Sequence, residues 1–243
     1  MAVSAMSRYG ALSIGSNRLL ESVAPEVKRA VLAHAKTITA DVEMSIYERE
    51  AVVEQCYFPL GGMISYTTTL KTGEMVEVGI AGCDGFAGVP VILGTKRSAN
   101  KVFVQIAGEA LRVSAVDLLA VCRELPDLRA LLLRYIGAVL AQSAQLSACN
   151  RIHETEQRLA RWLLMVRDRM DSDKVPLTQE FLAMMLGTQR STVSVAAGVL
   201  QREGMLEYAR GHIVILDRER LEHTACECYA VFREQTEEVF HPH

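Results

Sequence analysis

Proline is scarce, six residues in 243, and long apolar runs are missing altogether. The two longest uncharged stretches, 55–70 and 135–150, are each 16 residues long and contain polar side chains. Both fall short of the ~20 apolar residues a bilayer core requires, so no membrane span is expected. The first fifteen residues lack a basic start followed by an apolar run, so a secretory leader is not expected and a cytoplasmic location is. Charge of one sign is missing too: 26 basic against 29 acidic residues leave a formal net charge of −3. With half the residues apolar and about a quarter charged, the chain has enough apolar surface to fold as one large or two smaller domains. A mostly disordered chain is excluded. No Gly-rich phosphate loop, zinc signature or nucleophile elbow is present, so no enzymatic activity is expected.

Six cysteines are dispersed along the chain: Cys56, Cys83, Cys122, Cys149, Cys226 and Cys228. Without an export signal, reduced thiols are expected. Cys226-x-Cys228 is tighter than a zinc-knuckle spacing and has no second pair beside it, and four clustered thiolates for an iron–sulfur cluster are absent. The six are therefore expected in cores or interfaces, with no metal site.

What the chain does contain changes character along its length. Residues 1–20 are small and polar, a loose lead-in, and 25–35 have helical spacing through Val27, Val31 and Leu32. From Met44 to Val116 short β-branched and aromatic runs alternate with glycine breaks. Strands are predicted at 51–57, 63–70, 75–81, 102–107 and 110–114, an antiparallel barrel or roll. Beyond Pro126 the pattern is helical. Leu125, Leu128, Leu132, Tyr135, Val139, Gln142, Leu146 and Cys149 recur three and four apart, as in the seam between two long helices. A second stripe, Leu133, Ile136 and Leu140, is left to face the roll. A parallel dimer sealed by Leu132, Tyr135, Val139, Gln142 and Leu146 is the expectation.

A second helix is predicted at 152–170, with Leu159, Trp162, Leu163 and Val166 on its core face. The most informative segment is 177–216. Thr178 caps a helix at 179–186 and Gly187 stops it. Thr188 and Gln189 turn the chain into a second helix at 190–203, and strands at 205–208 and 212–216 flank a turn. Helix, three-residue turn, helix and hairpin make a winged helix-turn-helix. Its second helix exposes Arg190, Ser191 and Ser194 at the end nearest base edges, with Thr192 placed for a phosphate and Arg210 at the wing tip. The unit 151–217 is nevertheless neutral, with nine basic and nine acidic residues. Modest non-specific DNA affinity follows.

This order of parts resembles the cyclic-AMP receptor protein and fumarate–nitrate regulator (Crp/Fnr) family of bacterial transcription factors. The resemblance is strongest over 177–193 and extends to the Tyr57-Phe-Pro-Leu-Gly-Gly-Met-Ile-Ser run and to Arg97-Ser98-Ala99. It implies an α+β chain: a β-roll sensor at 20–125, a dimerisation helix at 126–150, and a winged helix-turn-helix with a helical tail at 151–243. It also implies a homodimer on a palindromic operator, RNA polymerase as a further partner, and Thr178, Gln189, Arg190, Ser191, Thr192, Ser194, Val195 and Arg210 at the DNA.

The sequence departs from the family in the sensor. Where cyclic-nucleotide binders carry a glutamate for the ribose, this chain reads Gly85-Phe86-Ala87-Gly88-Val89-Pro90; where they present Thr-Ser from the long helix, it has Ser143-Ala144. An effector pocket from Phe86, Gly88, Arg97, Ser98 and Ser143 is expected to take something other than cyclic AMP. The iron–sulfur members' N-terminal cysteine cluster is missing, and His34 and His153 are the only histidines before the DNA unit. Ser191 and Val195 stand where relatives carry Glu and Arg, so a different half-site is expected, with Val195 against a thymine methyl. The rival expectation is a ligand-binding or interaction protein of the same fold that has lost DNA binding.

Overall fold

The computed structural model describes residues 15–170, 172–209 and 211–241. Part of the loose lead-in is in fact built into the fold. Asn17 caps the short helix α1 (Arg18–Glu21), and its buried amide donates to the carbonyls of Pro59 (2.9 Å) and Gly85 (2.8 Å). Leu19 and Leu20 are buried behind it. Helix α2 (Pro25–His34) follows, with Pro25 in its first turn where no N–H is needed.

The roll comprises β1 (Lys36–Ala40), β2 (Ser45–Tyr47), β3 (Gln55–Pro59), β4 (Met63–Thr69), β5 (Met75–Ala81), helix α3 (Val89–Leu93), β6 (Lys101–Ile106) and β7 (Gly108–Ser114). Its sheets, ordered β1-β7-β3 and β2-β6-β4-β5, are antiparallel throughout, as the short spaced runs imply. β1 and β2, short and partly polar, lie outside the predicted strands. β3 starts later than predicted, because Val52 makes only an isolated bridge to Arg97. The corner between β3 and β4 needs glycine: at Gly62 (φ +69°) a Cβ would stand 2.3 Å from the Ile106 carbonyl oxygen.

Helix α4 (Ala115–Glu124), also unforeseen, is started by Ser114, which accepts from the Asp117 N–H and donates to its carboxylate at 2.6 Å. Then comes α5 (Pro126–Ile152), 27 residues and so about 40 Å long. Its two apolar stripes are assigned the opposite way from the sequence expectation. Leu132 and Tyr135 are buried in the roll's own core and Val139 packs on it. Leu146 packs on the C-terminal core, and Gln142 donates to Thr236 Oγ1 at 3.0 Å. Of the second stripe, Ile136 packs on the roll's core as expected, while Leu133 and Leu140 face outward, the latter 72 % exposed. The inward stripe is the richer in large side chains, and the last helix of the chain covers its C-terminal half.

The C-terminal unit comprises α6 (Thr155–Met170), β8 (Lys174–Val175), α7 (Gln179–Leu186), α8 (Arg190–Arg202), β9 (Leu206–Ala209), β10 (His212–Ile215), α9 (Arg218–Thr224) and α10 (Cys228–Phe240). The strands form a β8-β10-β9 sheet. α10 returns along α5, and Glu237 takes a bidentate ion pair from Arg18, both contacts at 2.7 Å. Among the described residues no helix is long and apolar enough to cross a membrane.

Candidate DNA interface

α7 and α8 are set by local chemistry. Thr178 Oγ1 accepts from the Phe181 N–H, fixing the start of α7. Gly187 ends it in the left-handed region (φ 58°), and the Gly187 and Thr188 N–H groups close on Met184 and Ala183. A Cβ at Gly187 would stand 3.2 Å from Val76 on β5, so the turn also leans on the roll. The extended Gln189 then opens α8 without a side-chain cap, leaving the first amides of the helix for an outside acceptor.

α8 buries Val193, Ala196, Ala197 and Leu200. Gln189, Arg190, Ser191, Thr192 and Val195 are exposed on the other side, Val195 at 68 %. Ser194 is half-buried and donates to Gln179 Oε1 at 2.7 Å, so it holds α7 and α8 together as well as bordering this face. Arg190 is not the free cation the sequence suggests: its guanidinium pairs with the Glu180 carboxylate on α7. Tyr208 on β9 stands beside the same pair, its phenol pKa pushed up by burial and by the charge of Glu180. Glu180 and Tyr208 were not anticipated, although Glu180 ten residues before Arg190 across a helical hairpin is a readable signal. Arg210 lies outside the described residues.

The anticipated effector residues do not line one space. Phe86 is fully buried, its ring 5.6 Å from Phe58 and 5.5 Å from Tyr135. Gly88 is pressed to Cys56, where a Cβ would stand 2.6 Å from Sγ. Arg97 lies at the surface and donates to the Glu50 carbonyl, while Ser98 donates to the Asn100 carbonyl at 2.7 Å. Ser143 donates to the carbonyl of Val78 on β5 (3.1 Å), at the edge of a small cavity also lined by Glu77, Gln142, Arg161 and Trp162.

That edge of the roll is where the C-terminal unit docks. Glu77 on β5 is buried and accepts from Trp162 Nε1 on α6 (2.9 Å) and Ser65 Oγ (2.8 Å). Burial pushes its carboxyl pKa up to about 7, against those two hydrogen bonds and the charges of Arg161 and Arg169. Arg169 pairs with Asp84 at 3.1 Å, and Phe103 on β6 meets Phe181 on α7 edge-on. The docked arrangement leaves the outer face of α8 open.

The family model for the Crp-like helix-turn-helix domain matches residues 157–224. Residues 157–224 are a Crp-like helix-turn-helix domain. The Crp-like domain and the roll together reproduce a known fold. The structure of the c-di-GMP responsive global regulator CLP of Xanthomonas campestris superimposes with a TM-score of 0.65 at 13 % identity, covering 79 % of this chain and 99 % of that one. FixK2 of Bradyrhizobium japonicum gives 0.64 at 17 % identity, covering 79 % and 98 %. A CRP-family transcriptional regulator of Thermus thermophilus gives 0.65 at 20 %, covering 77 % and 96 %. The chain thus has the Crp/Fnr fold around its Crp-like domain. No curated protein matches the chain.

Proposed function

We propose that this Crp/Fnr-like chain is a homodimeric, sequence-specific DNA-binding regulator of transcription. The observation that carries this reading is the exposed polar face of α8, opened by Gln189 and Arg190, on a Crp-like domain. In this reading Gln189, Arg190, Ser191 and Val195 read bases, Thr178 and Thr192 hold phosphates, and Ser194 positions the helix. The divisions at 20–125, 126–150 and 151–243 serve as sensor, dimer helix and DNA-binding unit, and RNA polymerase is the downstream partner. The subunits meet through the outward stripe of α5, Leu133 and Leu140 with Gly137 and Ala144 between and beyond them.

The sensor takes an effector other than cyclic AMP. The segment from Gly85 to Pro90 carries no carboxylate for a ribose, Phe86 is buried against Phe58 and Tyr135, and Arg97 is engaged by a backbone carbonyl. Saturating cyclic AMP at a hundred times its Kd would stabilise a binding site by about 2.7 kcal/mol. Here no shift in melting temperature is expected at millimolar cyclic AMP, and a saturable rise would reopen the pocket.

Selection of bound duplexes from a random pool tests the main reading, with Arg190→Ala as the paired variant. The wild type should enrich a palindrome. Arg190→Ala should flatten preference at one symmetric base pair, losing on the order of 1–3 kcal/mol of discrimination per half-site. Should neither protein bind any duplex in a salt-dependent way, the rival reading of an interaction protein replaces this one.

A further inference from the structure

Four metal-ligating side chains meet where the long helix ends. Cys149 lies on the last turn of α5 and His153 closes that helix, while Cys226 and Cys228 flank the start of α10. Their sulfur and nitrogen atoms all lie within 4.8 Å of one another. Cys149 Sγ is 3.6 Å from Cys226 Sγ, and Cys228 Sγ is 3.7 Å from His153 Nδ1. A tetrahedral zinc ion, with Zn–S of about 2.3 Å and Zn–N of about 2.0–2.1 Å, needs ligand separations of about 3.8 Å between sulfurs and about 3.5 Å from sulfur to nitrogen. Both measured separations are close to those values before any ion is placed between them.

Two further features suit a metal. His153 turns Nδ1 to the thiols and its other nitrogen, Nε2, to the Glu227 carboxylate at 2.9 Å. A carboxylate behind a ligating histidine fixes the ring and raises its basicity. The surroundings are also cationic. Arg158 and Arg161 on α6 are both buried and their charges act on Cys149 and Cys226. The Nε of each guanidinium is buried with no hydrogen-bond partner. Three thiolates exceed the two charges of zinc, so a filled site is anionic, and buried guanidiniums are what such a centre needs beside it.

We propose that Cys149, His153, Cys226 and Cys228 bind one zinc ion that clamps the C-terminal helix to the end of α5. The clamp sits at the joint with the DNA-binding unit, because His153 leads into α6 two residues later. The metal fixes the direction in which α6 leaves the long helix, and with it the placement of α8. The role is structural: all four positions are protein ligands, which leaves no open position for a substrate.

The full-length protein, purified under reducing conditions, should contain about one zinc per chain by elemental mass spectrometry. Stripped of zinc and titrated with cobalt(II), it should show sulfur-to-cobalt charge transfer and the visible bands of a tetrahedral ion, saturating at one equivalent. Cys226→Ser should lose at least about tenfold in affinity, and Cys122→Ser, a buried thiol outside the cluster, should lose none. Glu227→Gln should keep the stoichiometry and weaken binding by about tenfold, the low end for a partner behind a ligand, since Glu227 is largely exposed. The wild-type cobalt titration decides the matter even where a cysteine variant fails to fold. The proposal is overturned by a folded wild-type protein that takes up neither zinc nor cobalt, by a Cys149–Cys226 disulfide in the reduced preparation, or by iron with acid-labile sulfide.

Discussion

At Arg190 two acceptors compete for one guanidinium: the Glu180 carboxylate in the free protein, and the neutral edge of a guanine or a phosphate on DNA. Both partners are more than 60 % exposed, so the pair contributes only about 0–1 kcal/mol. Glu180 also places a negative charge beside the DNA-facing surface. Glu180→Gln should therefore tighten binding to any duplex by up to about fivefold. Titrations of operator and random DNA at one salt concentration would show it, and unchanged or weaker binding would remove Glu180 from the interface. The same pair tempers the neutral charge balance of the unit: the cation best placed for DNA is partly cancelled until DNA displaces the carboxylate.

On the scale of elements, α5 makes the sharpest demand. Leu140 is exposed and Leu132 is fully buried eight residues away on the same helix, so equal substitutions at the two should have unlike results. Leu140→Glu should yield folded monomers by sedimentation, because two like charges would meet across an apolar seam. Leu132→Ala should leave the assembly intact but cost about 2–5 kcal/mol of stability, the range for a truncated core leucine. A Leu140→Glu protein that stays dimeric would move the seam off this stripe. The helix-turn-helix was legible in the sequence because everything that builds it is local: Thr178, Gly187 and the spacing of Val193, Ala196, Ala197 and Leu200. The facing of α5 was not, since α10, 90 residues further on at Gln142 and Phe232, decides which stripe is covered. Phe86 was misread for a like reason, as Phe58 and Tyr135 fill its surroundings from distant positions. Cys149 and His153 show a helical i, i+4 ligand spacing, but their match to Cys226-x-Cys228 spans 77 residues and leaves no local mark.

For the molecule as a whole, Glu77 makes the docking of the roll on the C-terminal unit depend on pH. Its carboxyl titrates near 7 in the folded protein against an ordinary value of 4.5. Between those values the folded state binds more protons than the unfolded one, so stability falls as pH rises. The contribution is fully favourable below the unfolded value, is lost through about 7, and stays lost above. Glu77→Gln keeps an acceptor oxygen for Trp162 and turns an amide donor to the Ser65 hydroxyl, which can accept it, while removing the charge. Melting profiles should then separate: the variant should melt higher than wild type near pH 8, and the two should converge near pH 5. Parallel profiles across that range would mean that Glu77 does not titrate as its burial requires.

The return of α10 along α5 also has a consequence for how the protein is made. The ribosome delivers Gln142 well before Phe232, and at roughly 5–20 residues per second the intervening 90 residues take on the order of 5–20 s. Throughout that interval the C-terminal half of the long helix has its inner face uncovered, next to other nascent chains on the same message. A stop codon placed before Cys228 makes that interval permanent, so truncated products should accumulate as aggregates, while chains that carry α10 close over the exposed face.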